Sequence, residues 1–179
     1  MKQPAGEVTL DHRPLIVTAL AQASVQGRLE ALRQTHFPAE RNQVPAHVTL
    51  FHALPGSMAD DVLRRLKAVC GPLPPPRAEM PHLRFMGRGV AMAVHSPELS
   101  AIRDELAHGW HGLLTLQDAQ GWRPHVTIQN KVTGAQARAT FERLSATFQP
   151  ITTQFCALAL WRYCGGPWQP VARVGFRGS

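Results

Sequence analysis

The chain matches itself. HVTLFHALPGSMADDVLRRL, starting at His47, aligns without a gap on HVTIQNKVTGAQARATFERL, starting at His125, at an offset of 78 residues. Seven of the twenty positions agree: His47/His125, Val48/Val126, Thr49/Thr127, Gly56/Gly134, Ala59/Ala137, Arg65/Arg143 and Leu66/Leu144. Each copy reads as a strand, a glycine-containing loop and an amphipathic helix. HVT is a common strand tripeptide, but the matching loop length and helix phase argue against chance. Two copies are too few for a solenoid, which needs three or more. They fit one bilobal domain over residues 1–179, internally duplicated about a pseudo-twofold axis, with a cleft between its lobes.

The rest of the chain alternates strand and helix signals. Pro14 to Ala21 is a compact apolar run with β-branched residues, a strand. Val25, Leu29 and Leu32 recur at helical spacing, which predicts a helix over 23–35. Val62, Leu63, Leu66 and Val69 form a second apolar stripe behind Asp60 and Asp61, acids suited to a helix first turn. The stretch Gly71-Pro72-Leu73-Pro74-Pro75-Pro76 breaks both periodicities and reads as the link between halves. Gly87-Arg88-Gly89 marks a hairpin, and Ser96-Pro97 marks a helix start. Further signals predict a strand at 125–129, a helix near 135–148 and terminal strands around 155–162 and 171–176. No regular βαβ beat emerges. The expected class is α+β, with two largely antiparallel sheets facing a central cleft and helices outside.

Composition narrows the function classes. At 179 residues with 44% hydrophobic and 17% charged, the chain can bury a core and is not disordered throughout. No apolar run approaches the roughly 20 residues of a membrane-spanning helix. Met1 to Glu7 lacks a hydrophobic block of the signal-peptide kind. Cys70, Cys156 and Cys164 are too few for a disulfide framework, so a cytoplasmic protein with reduced thiols is expected. The formal charge is +7, and it is lopsided: residues 119–179 carry seven basic side chains and one acid, Glu142. Arginine supplies 16 of the 19 positive charges, which suits a phosphate-bearing partner, although codon bias alone can enrich arginine.

Strand alternation turns the repeat into chemistry. His47 and Thr49 project on one side of their strand, and His125 and Thr127 do the same in theirs. Two imidazoles and two hydroxyls facing one cleft suit phosphoester cleavage. One histidine serves as general base and the other, protonated, as general acid, while the threonines hold non-bridging oxygens. Such a set makes a poor zinc site, since neither cysteine nor carboxylate accompanies it.

The paired His-x-Thr motifs, with the surrounding PAHVTLFHALPG and WRPHVTIQNKV segments, resemble the 2H phosphoesterase superfamily. The nearest branch is that of the bacterial 2′-5′ RNA ligase-like proteins and RNA 2′,3′-cyclic phosphodiesterases. The resemblance implies a metal-independent enzyme that opens 2′,3′-cyclic phosphates, typically to a 2′-phosphate, and in some members joins RNA ends in reverse. It also implies His47 and His125 as the catalytic pair and Thr49 and Thr127 as phosphate-binding residues. The implied partners are RNA ends or nucleotides bearing a cyclic phosphate, with no cofactor, metal or membrane, and the chain is expected to be a monomer. A binding module of the same fold without turnover is the alternative. Motif 1 departs from the family where Phe51-His52 replaces a more aliphatic, glycine-ended stretch.

Strand parity nominates neighbours. Arg123 precedes His125 by two and Phe51 follows Thr49 by two, so both are candidate substrate-binding residues. Phe51 could stack a base or pack in the core. Lys131 shares the parity but lies past the expected strand end, and Arg162 is a further cleft candidate. Trp161, Tyr163 and Trp168 flank the last turn, either at the cleft mouth or packed on the sheet. His52 has the opposite parity and is expected to face away from the site.

Overall fold

The computed structural model describes residues 11–178; the Met1 to Glu7 segment lies outside them. Strand β1 (Leu15–Ala21) leads into α1 (Ala23–His36), β2 (Val48–Leu54) and α2 (Ala59–Cys70). Strands β3 (Arg77–Met80), β4 (Leu83–Phe85) and β5 (Val90–Ala93) precede α3 (Pro97–Gly109) and the single-turn α4 (Leu116–Ala119). Then follow β6 (His125–Gln129), α5 (Gly134–Ser145), β7 (Ile151–Tyr163) and β8 (Trp168–Gly175). Every strand pairing is antiparallel, in the order β3-β7-β1-β2-β6-β5-β4, with β8 also on β7.

The α+β class is as the alternating signals predict, and local chemistry explains its elements. The LIVTALA run of β1 is buried along almost its whole length because it lies between β7 and β2. Ser96 caps α3 by accepting from the Leu99 N–H, with Pro97 in the first turn. Thr133 and Gln136 form a reciprocal capping box on α5. Leu29, Leu66, Leu99 and Leu106 from three helices meet Leu50, Val126, Ile128 and Leu158 of the sheet in one core. Each such buried side chain stabilises the fold by roughly 1.5–3 kcal/mol relative to exposure.

The expectation of two separate facing sheets needs one amendment. The strands form a continuous path whose two sets touch at a single register pair, Val48 opposite Val126. These are equivalent positions of the repeat. Antiparallel pairing of equivalent residues creates a local two-fold axis between β2 and β6. It sets His47 beside Thr127 and Thr49 beside His125, all four on the face opposite the buried valines.

Both strands then bulge at the same place. Thr49 lies opposite Thr18 and Phe51 opposite Val17, so Leu50 is an extra residue in β2. Thr127 lies opposite Ala91 and Gln129 opposite Val90, so Ile128 is the extra residue in β6. Leu50 and Ile128 are again 78 apart. A bulge shifts alternation by one residue. Phe51 and Gln129 consequently turn inward to burial, while His52 and Asn130 turn outward.

Candidate active site

Beyond Val48 and Val126 the two motif strands part, and buried polar side chains take up the backbone groups that pairing would have satisfied. Arg33, 2% exposed on α1, donates to the Thr127 carbonyl at 2.8 Å. Its guanidinium also holds Asn42 Oδ1 at 2.8 Å and the Val44 carbonyl at 3.2 Å, fixing the loop that leads to His47. On the other strand, Trp122 Nε1 donates to the Thr49 carbonyl at 2.9 Å and Arg103 Nε to the Leu50 carbonyl at 3.3 Å. The buried Asp118 carboxylate accepts the N–H groups of His52, at 2.9 Å, and Ala53, at 3.1 Å. The strands can splay open because these side chains replace a ladder.

At the His47 end of the motif pair opens a cleft of about 440 Å³, walled by α1, the end of β6 and the turn between β7 and β8. His47 and Thr127 line it, with Arg33, Lys131, Tyr163 and Trp168 around them. Trp168 stands 5.1 Å from the His47 ring, and its neighbour Trp161 donates from Nε1 to buried Thr18 at 2.9 Å. Tyr163 and Trp168 thus reach the cleft, whereas Trp161 braces the sheet behind them. Lys131 sits on the cleft wall with a left-handed backbone, φ 60°. His125 and Thr49 share the polar face but lie beyond the cleft's lining.

The two histidines are mounted alike. His47 Nδ1 donates to the Pro45 carbonyl at 2.7 Å, and His125 Nδ1 to the Arg123 carbonyl at 2.9 Å. Each bond runs to the residue two earlier. A carbonyl can only accept, so each ring carries its proton on Nδ1 and leaves Nε2 for chemistry. Burial, partly offset by the Pro45 carbonyl, pushes the His47 pKa down to about 4, and the positive charges of Arg33, His125 and His52 add to the fall. Burial likewise lowers His125, which the Arg123 carbonyl partly restores and the Arg84 charge lowers further. A neutral imidazole beside a second imidazole is the arrangement general acid–base chemistry needs.

Several sequence expectations change. Phe51 is fully buried, edge-on to Trp110 at 5.0 Å, and cannot stack a substrate base, because the bulge at Leu50 inverts its parity. The same inversion moves His52 from the expected far face to the outward side, where its charge acts on both His47 and His125. Arg123 contributes its carbonyl to His125 while its side chain is exposed and off the cleft lining. Arg162 is bound to Asp11 at 3.0 Å and to backbone of the N-terminal segment. Arg33, Arg103 and Asp118 were not legible as site residues, since charged side chains on helices read as solvated. A buried-face position for Arg33, on the stripe of Val25 and Leu29, was the available signal.

Comparison with known proteins agrees with this architecture. Among solved structures, TT0787 of Thermus thermophilus superposes with a TM-score of 0.64 at 17% identity, covering 93% of this chain and 99% of that one. E. coli LigT complexed with 3′-AMP gives 0.59 at 15% identity over 93% and 99% of the two chains. E. coli LigT complexed with NADP+ gives 0.57 at 14% identity with the same coverage. No curated protein matches the sequence. The family model described as "2'-5' RNA ligase superfamily" matches residues 21–167, both His-x-Thr motifs included, and the chain belongs to that superfamily of 2H phosphoesterases.

Proposed function

We propose that the protein hydrolyses 2′,3′-cyclic phosphates of RNA ends or nucleotides by two-histidine acid–base catalysis, without a metal. The observation that carries this reading is the Val48–Val126 register, which sets two His-x-Thr motifs side by side on one polar face. His47, the more strongly lowered of the pair and neutral at neutral pH, suits the base; Nε2 takes a proton from water as its oxygen attacks phosphorus. His125 suits the acid. It gives a proton to the departing 3′-oxygen, leaving a 2′-phosphate and a 3′-hydroxyl. The Thr49 and Thr127 hydroxyls hold the non-bridging oxygens as negative charge builds. A 5′-hydroxyl in place of water runs the same steps toward a 2′-5′ linkage. Trp168 and Tyr163 beside His47 offer aromatic faces to a base, and the 3′-AMP, NADP+ and ATP complexes of E. coli LigT favour a nucleotide ligand.

The test is hydrolysis of 2′,3′-cyclic nucleotides and cyclic-ended oligoribonucleotides in EDTA. Turnover is expected to persist there in the wild type and to fall about 10²–10⁴-fold in His47→Ala and in His125→Ala. Undiminished activity in either variant overturns the mechanism, and loss of all activity in EDTA points to a metal-assisted reaction. Tight binding of the cyclic phosphate without turnover by the wild type supports a binding module instead.

A further inference from the structure

His52 is mounted as the two motif histidines are, but on a stronger acceptor. Its Nδ1 donates to Asp118 Oδ1 at 2.9 Å. Asp118 is itself buried, with 1% of its side chain exposed, and is locked from three directions. The N–H groups of His52 and Ala53 reach its carboxylate, Arg103 grips its carbonyl oxygen at 2.5 Å, and Thr115 caps its helix turn. Burial works to raise the Asp118 pKa, yet the hydrogen bonds from the His52 ring and the two N–H groups hold it below the ordinary carboxylate value. The imidazole at the end of this support is 44% exposed, and with Nδ1 engaged on Asp118 its Nε2 remains for a ligand.

Symmetry says where that ring stands. His52 follows His47 by five residues and the bulge at Leu50; Asn130 follows His125 by five and the bulge at Ile128. Asn130 lines the cleft beside His47 and Thr127. Under the local two-fold, His52 occupies the corresponding place beside His125 and Thr49. Because Leu50 is the bulged residue, Thr49 to His52 advances only about two positions along the strand, roughly 7 Å at about 3.3 Å per residue. The ring thus stands along the strand from the phosphate that Thr49 would hold, where the next unit of a bound chain would run.

We propose that His52, positioned by Asp118, is a third histidine of the site and binds the sugar–phosphate chain of an oligoribonucleotide next to the scissile phosphate. This rests on the phosphoesterase reading above, and gives it a preference for RNA ends over cyclic mononucleotides.

The experiment compares kcat/KM on a 2′,3′-cyclic mononucleotide and on a cyclic-ended oligoribonucleotide for wild type, His52→Ala and His52→Gln. A fluorescence-anisotropy Kd for the oligoribonucleotide is measured alongside. His52→Ala is expected to reduce the oligonucleotide-to-mononucleotide selectivity about tenfold, chiefly through KM, the scale of one hydrogen bond to a charged group. His52→Gln, which keeps a donor, should recover part of it. An unchanged selectivity ratio overturns the proposal, whether both activities persist or both fall together as for a structural or acid–base role. If the wild type turns over neither substrate, the phosphoesterase reading fails. The anisotropy then decides His52 alone, an unchanged Kd in His52→Ala ruling it out.

Discussion

The two motif strands are built to one plan and finished differently. Both start with His-x-Thr, both hold their histidine by a carbonyl two residues back, and both bulge one residue after the threonine. The motif-1 histidine is sunk beside Trp168 and near Arg33, while the motif-2 histidine stands outside the cleft lining with Arg84 as its charged neighbour. Five residues on, one strand carries His52 on a buried aspartate and the other an asparagine on the cleft wall. Paired symmetry supplies two copies of one reactive group. Departures from it give the copies different surroundings, and the proposed mechanism uses that difference to give them different tasks.

The sharpest way to break this comparison is at the hydroxyls. Thr49→Ala and Thr127→Ala should each lower kcat about 10²-fold, the scale of one lost oxyanion donor, with little change in folding. Steady-state kinetics on a cyclic nucleotide checks it. A loss confined to one threonine would mean that one strand alone grips the phosphate.

The pH profile tests the proton assignment. Both histidines are lowered in the free protein, so both limbs of the kcat/KM bell should lie below about 6.5, with the maximum on the acid side of neutrality. The limbs are macroscopic constants of the pair. Trp168→Ala opens His47 to water and should move the acidic limb upward from about 4. A limb that stays in place would mean Trp168 does not shield His47.

Stability should follow the same pair. The folded His47 pKa of about 4 lies below the ordinary 6.5, so between these values the unfolded chain binds more protons. That contribution is therefore complete above pH 6.5 and is lost progressively as pH falls toward 4. Denaturant titrations across this window should show a shallower acid loss in His47→Gln than in wild type. Equal slopes would exclude the His47 ring as a cause.

The smallest effect concerns the repeat's glycines. A methyl on Gly56 would collide with the Arg13 carbonyl oxygen, whereas one on Gly134 would meet the Gly87 carbonyl oxygen at an ordinary 3.6 Å. Gly56→Ala should cost roughly 1–3 kcal/mol, in the range of overpacking, and Gly134→Ala should stay within about 1 kcal/mol. Chemical denaturation separates them. Equal costs would mean that these matched positions face matched surroundings.

Periodicity and punctuation determined most of the fold. The hydrophobic stripes of α1 and α2, the Gly87-Arg88-Gly89 hairpin and the Ser96 cap are local, carried by residues within a few positions of one another. The motif histidines and threonines were equally legible, because their spacing repeats and their side-chain identities are chemical. Strand β3 was not, since RAEM has no apolar run and forms by pairing with the start of β7. What only the tertiary structure decided was which way residues past the motifs face. A bulge is fixed by the partner strand's register, which no single strand encodes, and it exchanged Phe51 for His52 on the outward side. Arg33, Arg103 and Asp118 belong to the site for the same reason. Their partners are backbone groups orphaned by the splaying of two strands, a need that arises only once those strands have met at Val48 and Val126.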